Sequence, residues 1–102
     1  MNHSTKETQL SVLRKHLDEL DEHLVCLLAE RFRVTDQIGM YKSMHQLTAA
    51  DPSREQRQLE RIRKLAAEYG LDAAVAERVL RTIMEEAVKR HHAIQVKFGE
   101  FL

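Results

Sequence analysis

Arg31 and Lys42 are the residues of this chain best placed to do chemistry. Leu13, Leu17, Leu20, Leu24, Leu27, Arg31, Val34, Ile38 and Tyr41 recur at alternating steps of four and three, the seam of an amphipathic helix, and Arg31 stands in its middle. A guanidinium on a core-facing stripe is expensive to bury without an anion. Neither Arg31 nor Lys42 has an acid three or four residues away in either direction. On one helix, their separation of eleven residues is three turns plus about 20°, so they face the same way roughly 16 Å apart along the axis. Two inward cations without local partners point to an anionic ligand, and long side chains at that spacing suit a small dianion.

The remaining charged residues divide between ordinary and functional readings. Arg14 lies seventeen residues before Arg31, about 25 Å away on another face, so it joins the same site only from a second, antiparallel chain. Asp18, four residues on, also offers Arg14 a plain surface pair. Arg54 and Glu55 fall in the first turn of a second helix, where Glu55 complements the helix dipole and Arg54 has Asp51 within reach. His91 interrupts an apolar stripe much as Arg31 does, although a hydrogen-bonded core histidine is the commoner fate of such a residue. Metal ligation is disfavoured: His16 and His23 are seven apart, His91 and His92 face different directions, and there is no CxxC or HExxH pattern. There is no glycine-rich phosphate loop, and no serine or cysteine has an evident base and orienting acid. Cations with one acid and one histidine suit binding and electrostatic stabilisation, with neither metal nor organic cofactor.

The elements that must carry these residues are helices, because glycine and proline are scarce and strand-like alternation is absent. The first helix is predicted to start near Ser4, where Ser4 and Glu7 fit a capping box, and to run to about Ser43 with Gly39 as its only weak spot. A helix of roughly 35 residues is about 50 Å long and overruns a compact globule of this size. Its leucines therefore require another chain, which predicts an intertwined homodimer. Leu47 to Ala50 reads as a loop, and Asp51 followed by Pro52 starts the second helix. That helix should turn Leu59, Ile62, Leu65 and Tyr69 inward and stop at Gly70. Asp72 caps a third helix whose inward stripe is Leu80, Met84, Ala87, His91, Ile94 and Phe98. The expectation is an all-α, three-helix protomer with one long N-terminal helix, forming a single domain over residues 1–102 with its core at 8–96.

Composition narrows the partners. The chain has 102 residues, 43% of them hydrophobic, enough for one small folded domain. Its 16 basic and 16 acidic residues balance, which disfavours nucleic acid or an anionic membrane as the main partner. No apolar run approaches the ~20 residues that span a bilayer, and the first ten residues lack the apolar core of a secretory signal. The lone Cys26 beside the leucine seam reads as a small core residue, and a reduced, cytoplasmic protein is the expectation.

Taken in order, Leu13-Arg14, Leu20-Asp21, Leu27-Leu28-Ala29-Glu30-Arg31, Tyr41-Lys42, Asp51-Pro52-Ser53-Arg54-Glu55 and Gly70-Leu71-Asp72 resemble the all-helical class of chorismate mutases. The resemblance covers about residues 10 to 95. It implies conversion of chorismate to prephenate, the committed step toward phenylalanine and tyrosine, by a dimer with two active sites. By resemblance, Arg31 and the Arg14 of the second chain clamp the two substrate carboxylates, and Lys42 donates to the ether oxygen. Glu55 accepts from the ring hydroxyl, with Asp51 and Arg54 shaping that end of the pocket. Two positions depart from the family pattern. Ala87 stands where a serine or threonine often binds a carboxylate, and His91 stands where glutamine usually donates to the ether oxygen. An imidazole can still donate there, with a sensitivity to pH that glutamine lacks. The same scaffold admits an isochorismate-pyruvate lyase or an aminodeoxychorismate mutase, and the seam alone would satisfy a non-catalytic dimerisation module. Feedback by phenylalanine or tyrosine is not expected within this chain.

Overall fold

The computed structural model describes the backbone of residues 2–101 and the side chains of residues 5–99. Three helices follow one another in the order α1 (Asn2–Met44), α2 (Pro52–Glu68) and α3 (Ala73–Phe101), with no strand among the described residues. The all-α, three-helix expectation holds. α1 starts at Asn2, ahead of the predicted cap at Ser4, whose side chain lies outside the described residues. None of the helices is long and apolar enough to cross a membrane among the described residues.

The chain forms two compact units, one ending at Arg33 and the other beginning at Val34. In the first unit every side chain from Thr5 to Leu27 is exposed, because a lone helix has no second layer of its own. Leu13, Leu17, Leu20, Leu24 and Leu27 thus stand open to solvent, Leu17 at 55% and Leu24 at 57% exposure. Cys26 is exposed too, which corrects its reading as a core residue.

The second unit contains the core. α3 turns Ala76, Met84, Ala87 and His91 into it, with Leu80, Ile94 and Phe98 half-buried on the same stripe. α2 contributes Leu59 and Ala66, with Ile62 and Leu65 half-buried. Tyr69 does not join them: it is 83% exposed. It occupies the cap position after the last helical residue, with φ −95° and ψ 7°, so the helical spacing that predicted it inward has already ended.

Both α2 and α3 start as their cap residues dictate. Asp51 accepts a hydrogen bond from the Arg54 backbone N–H at 3.1 Å, and Asp72 accepts from the N–H groups of Ala74 and Val75 at 2.8 and 3.3 Å. α1 and α2 end alike. After α2, Gly70 takes φ +69°, its N–H donates to the Ala67 carbonyl and Leu71 donates to Ala66. After α1 the same pattern uses Gln46 at φ +55°, with Gln46 donating to the Ser43 carbonyl and Leu47 to Lys42 at 2.7 Å. A residue with a Cβ carries a steric penalty of about 1–2 kcal/mol in that conformation, so the turn after α1 is the more strained of the two.

Candidate active site

Arg31 is half-buried on α1, and its Nη1 atom is buried with no hydrogen-bond partner among the described residues. An unpaired guanidinium N–H shielded from water is costly, and that is the mark of a donor kept for something else. Arg14 is exposed on the same helix.

Lys42, in the last turn of α1, is half-buried, and its ammonium donates to the Ala49 carbonyl at 3.1 Å. The turn at Gln46 folds the chain back so that Ala49, only 2% exposed, lies beneath this ammonium. From α3, His91 brings its Nδ1 to 3.5 Å from the same carbonyl oxygen, while its Nε2 lies 2.7 Å from the Thr35 carbonyl. Lys42 and His91 thus converge on one oxygen. Because a carbonyl only accepts, the short contact assigns a proton to Nε2, and Nδ1 becomes a donor only when the ring is an imidazolium.

Two features hold His91 there, at 6% exposure. Gly39 on α1 makes room for the ring: a Cβ at that position would stand 2.7 Å from His91 Cδ2 and 3.2 Å from Ile94 Cδ1. Arg90, the preceding residue, grips Asp36 of α1 with both ends of its guanidinium, Nε to Oδ1 at 2.8 Å and Nη2 to Oδ2. That hydrogen bond from Arg90 holds the Asp36 carboxyl below the usual carboxylate range. Partial burial opposes it more weakly, and the charges of Arg90 and His91 assist. One turn beyond His91, the Gln95 amide donates to the Leu47 carbonyl at 3.0 Å and ties the α1–α2 loop to α3.

The other predicted residues sit apart from this pair. Glu55 is half-buried on α2 and lines a cavity of about 650 Å³ between α2 and α3, with Leu59, Arg63, Met84 and Val88; Lys42 and His91 are not among its lining residues. Asp51 meets Arg54 through the backbone N–H rather than the guanidinium, and the Arg54 side chain is exposed. Ala87 is buried one turn before His91 on α3. Among the described residues no group of three or more histidines, cysteines or acids is placed to hold a metal ion.

Sequence reasoning named Lys42 and His91 but missed the groups that seat them, Thr35, Asp36, Gly39, Ala49 and Arg90, and the Gln95 amide that holds the loop. Gly39 carried a usable signal, since glycine in a helix interior is unfavourable by about 1 kcal/mol and a close approach is the usual reason to keep it. The Ala49 carbonyl left none, because a backbone oxygen is common to every residue.

Comparison with known proteins agrees with this architecture. The family model described as chorismate mutase type II matches residues 13–92. The bifunctional chorismate mutase/prephenate dehydratase of Escherichia coli (strain K12) is 34% identical over 90 residues, covering 88% of this chain and 23% of that protein. The present chain therefore spans about a quarter of that relative's length. The chorismate mutase of Methanocaldococcus jannaschii is 30% identical over 77 residues, 76% of this chain and 78% of its own. The 4-amino-4-deoxychorismate mutase of Streptomyces venezuelae is 30% identical over 82 residues, 80% of each chain. With one family model spanning most of a three-helix chain, this chain belongs to the type II, all-helical family of chorismate mutases.

Proposed function

We propose that this chain is a chorismate mutase, rearranging chorismate to prephenate inside a homodimer. The observation that carries the reading is the convergence of Lys42 Nζ and His91 Nδ1 on a single oxygen, at 3.1 and 3.5 Å. The reaction is unimolecular: one carbon–oxygen bond breaks as one carbon–carbon bond forms, and negative charge grows on the departing ether oxygen. No nucleophile, metal or organic cofactor is needed. The Lys42 ammonium and, as an imidazolium, His91 Nδ1 are what that charge requires, and preorganised donors need no rearrangement as the charge develops.

In this reading Arg31, with its buried unpaired Nη1, and Arg14 from a second copy of the chain bind the two carboxylates and hold the enolpyruvyl arm over the ring. They supply chiefly orientation. Lys42 and His91 supply the electrostatic term at the ether oxygen. Glu55 receives the ring hydroxyl, with Asp51 and Arg54 at the start of α2 beside it, and Ala87 leaves one carboxylate contact unfilled. Residues 1–102 act as one domain in the cytoplasm. The exposed leucines of the first unit support the second copy, since a row of large apolar side chains open to solvent marks an interaction surface.

The likeness to an aminodeoxychorismate mutase supports one neighbouring reading, in which the ring carries an amino group at the Glu55 end. The test is spectrophotometric loss of chorismate with identification of the product, repeated with aminodeoxychorismate and isochorismate. Prephenate from chorismate at the highest kcat/KM is the expected result. Pyruvate release from isochorismate would assign the chain to a lyase instead. Absence of turnover, together with no calorimetric binding of a bicyclic dicarboxylate analogue, would leave a dimerisation module.

A further inference from the structure

The oxygen on which Lys42 and His91 converge belongs to the protein itself. Ala49 lies in the loop between α1 and α2; its carbonyl accepts from Lys42 and stands 3.5 Å from His91 Nδ1, the two atoms that the proposed reaction directs at the substrate. One backbone oxygen and one substrate oxygen cannot both occupy that position. The loop has the features of a seated but displaceable segment. It begins at Gln46, held at φ +55°, a conformation that favours glycine. Leu47 and Thr48 are exposed, while Ala49 is buried. Gln95, one turn beyond His91 on α3, donates to the Leu47 carbonyl at 3.0 Å.

We propose that Leu47–Ala50 is a strap whose Ala49 carbonyl competes with the substrate for Lys42 and His91, and that Gln95 is the positioning residue that sets how firmly the strap is seated. The substrate then binds only the fraction of molecules in which the strap has lifted, and its apparent affinity is reduced by that fraction. Gln95 touches no reacting atom, so it acts on the strap equilibrium and leaves the chemistry of the bound complex alone. This inference rests on the mutase reading for the identity of the competing guest, but the seating of the strap is measurable without any guest.

The experiment compares the intact chain with Gln95→Leu and with Gln95→Lys, which keeps a donor for the Leu47 carbonyl. Loss of one net hydrogen bond changes a two-state population about fivefold. Hydrogen–deuterium exchange at residues 47–50, with no ligand present, should become about fivefold faster in Gln95→Leu and return toward the original rate in Gln95→Lys. With chorismate, Gln95→Leu should show KM lowered about fivefold at unchanged kcat, and Gln95→Lys should restore KM. Exchange that does not change in Gln95→Leu overturns the role of Gln95. Faster exchange with an unchanged or raised KM overturns the competition between strap and substrate. A wild-type chain that neither turns over chorismate nor binds the bicyclic analogue overturns the mutase reading and the substrate as competitor, while the exchange comparison alone still decides whether Gln95 seats the strap.

Discussion

At the scale of single residues, the centre of this protein is governed by what each donor can and cannot do. In the proposed reaction Lys42 acts on transition-state charge rather than on ground-state affinity. Lys42→Gln should lower kcat by about 100-fold or more, the scale of a lost oxyanion donor, with a smaller change in KM; a change confined to KM would remove Lys42 from the ether oxygen. His91 differs because its Nε2 is committed to the Thr35 carbonyl at 2.7 Å. Donation from Nδ1 then needs the imidazolium, so kcat should fall toward alkaline pH. His91→Gln should flatten that limb, because an amide donates at any pH. An identical profile in both proteins would show that Nδ1 is not a donor in the reaction. Neither residue shows its role by type alone, since both bond to the same carbonyl as ordinary buried polar groups would.

At the scale of the elements, close approach between α1 and α3 beyond Val34 decides whether that pair exists. Gly39→Ala sets two effects against each other. Alanine favours the helix by about 1 kcal/mol over glycine. Its Cβ would stand 2.7 Å from His91 Cδ2, an overlap whose relief costs about 1–3 kcal/mol in a packed site. Overpacking should win, giving net destabilisation in urea unfolding of up to about 2 kcal/mol. In the His91→Ala background the same change should become stabilising; additivity of the two changes would mean the contact is not the reason for the glycine. The Arg90–Asp36 pair holds the same two helices in register and imposes a pH dependence of known sign. The folded-state Asp36 carboxyl lies below its ordinary value of 3.8, so the unfolded chain takes up the proton first as acid is added. The stabilisation is fully present above about pH 4 and is lost as pH falls through the lower folded-state value. The pair is partly exposed, so the effect is modest. Asp36→Asn should flatten this part of the melting-temperature profile, and an unchanged acid limb would assign it to other carboxylates.

At the scale of the whole molecule, the dominant fact is apolar surface left open on the first unit. Leu13, Leu17, Leu20, Leu24 and Leu27 present a continuous seam, and burying one leucine is worth about 1.5–3 kcal/mol. If a second copy covers the seam, melting temperature should rise with protein concentration, and Leu24→Asp should shift sedimentation toward monomer with loss of turnover. A concentration-independent melt and an unaltered sedimentation coefficient in Leu24→Asp would rule out that dimer. The sequence by itself determined the three helices, both interior caps, the stop at Gly70, the inward stripe of α3 and the presence of cations without local acids, because periodicity, capping and turn chemistry act over a few residues. Tyr69 and Cys26 were misread for a related reason: a repeat says which residues share a face, not where the repeat stops or whether anything covers the face. Only the tertiary structure decided that His91 reaches Gly39 and Thr35 across fifty residues of chain, that Gln46 takes a conformation usually left to glycine, and that a backbone oxygen of Ala49 stands between Lys42 and His91. Those contacts join residues far apart in sequence, or use atoms that every residue possesses, and no local pattern records either.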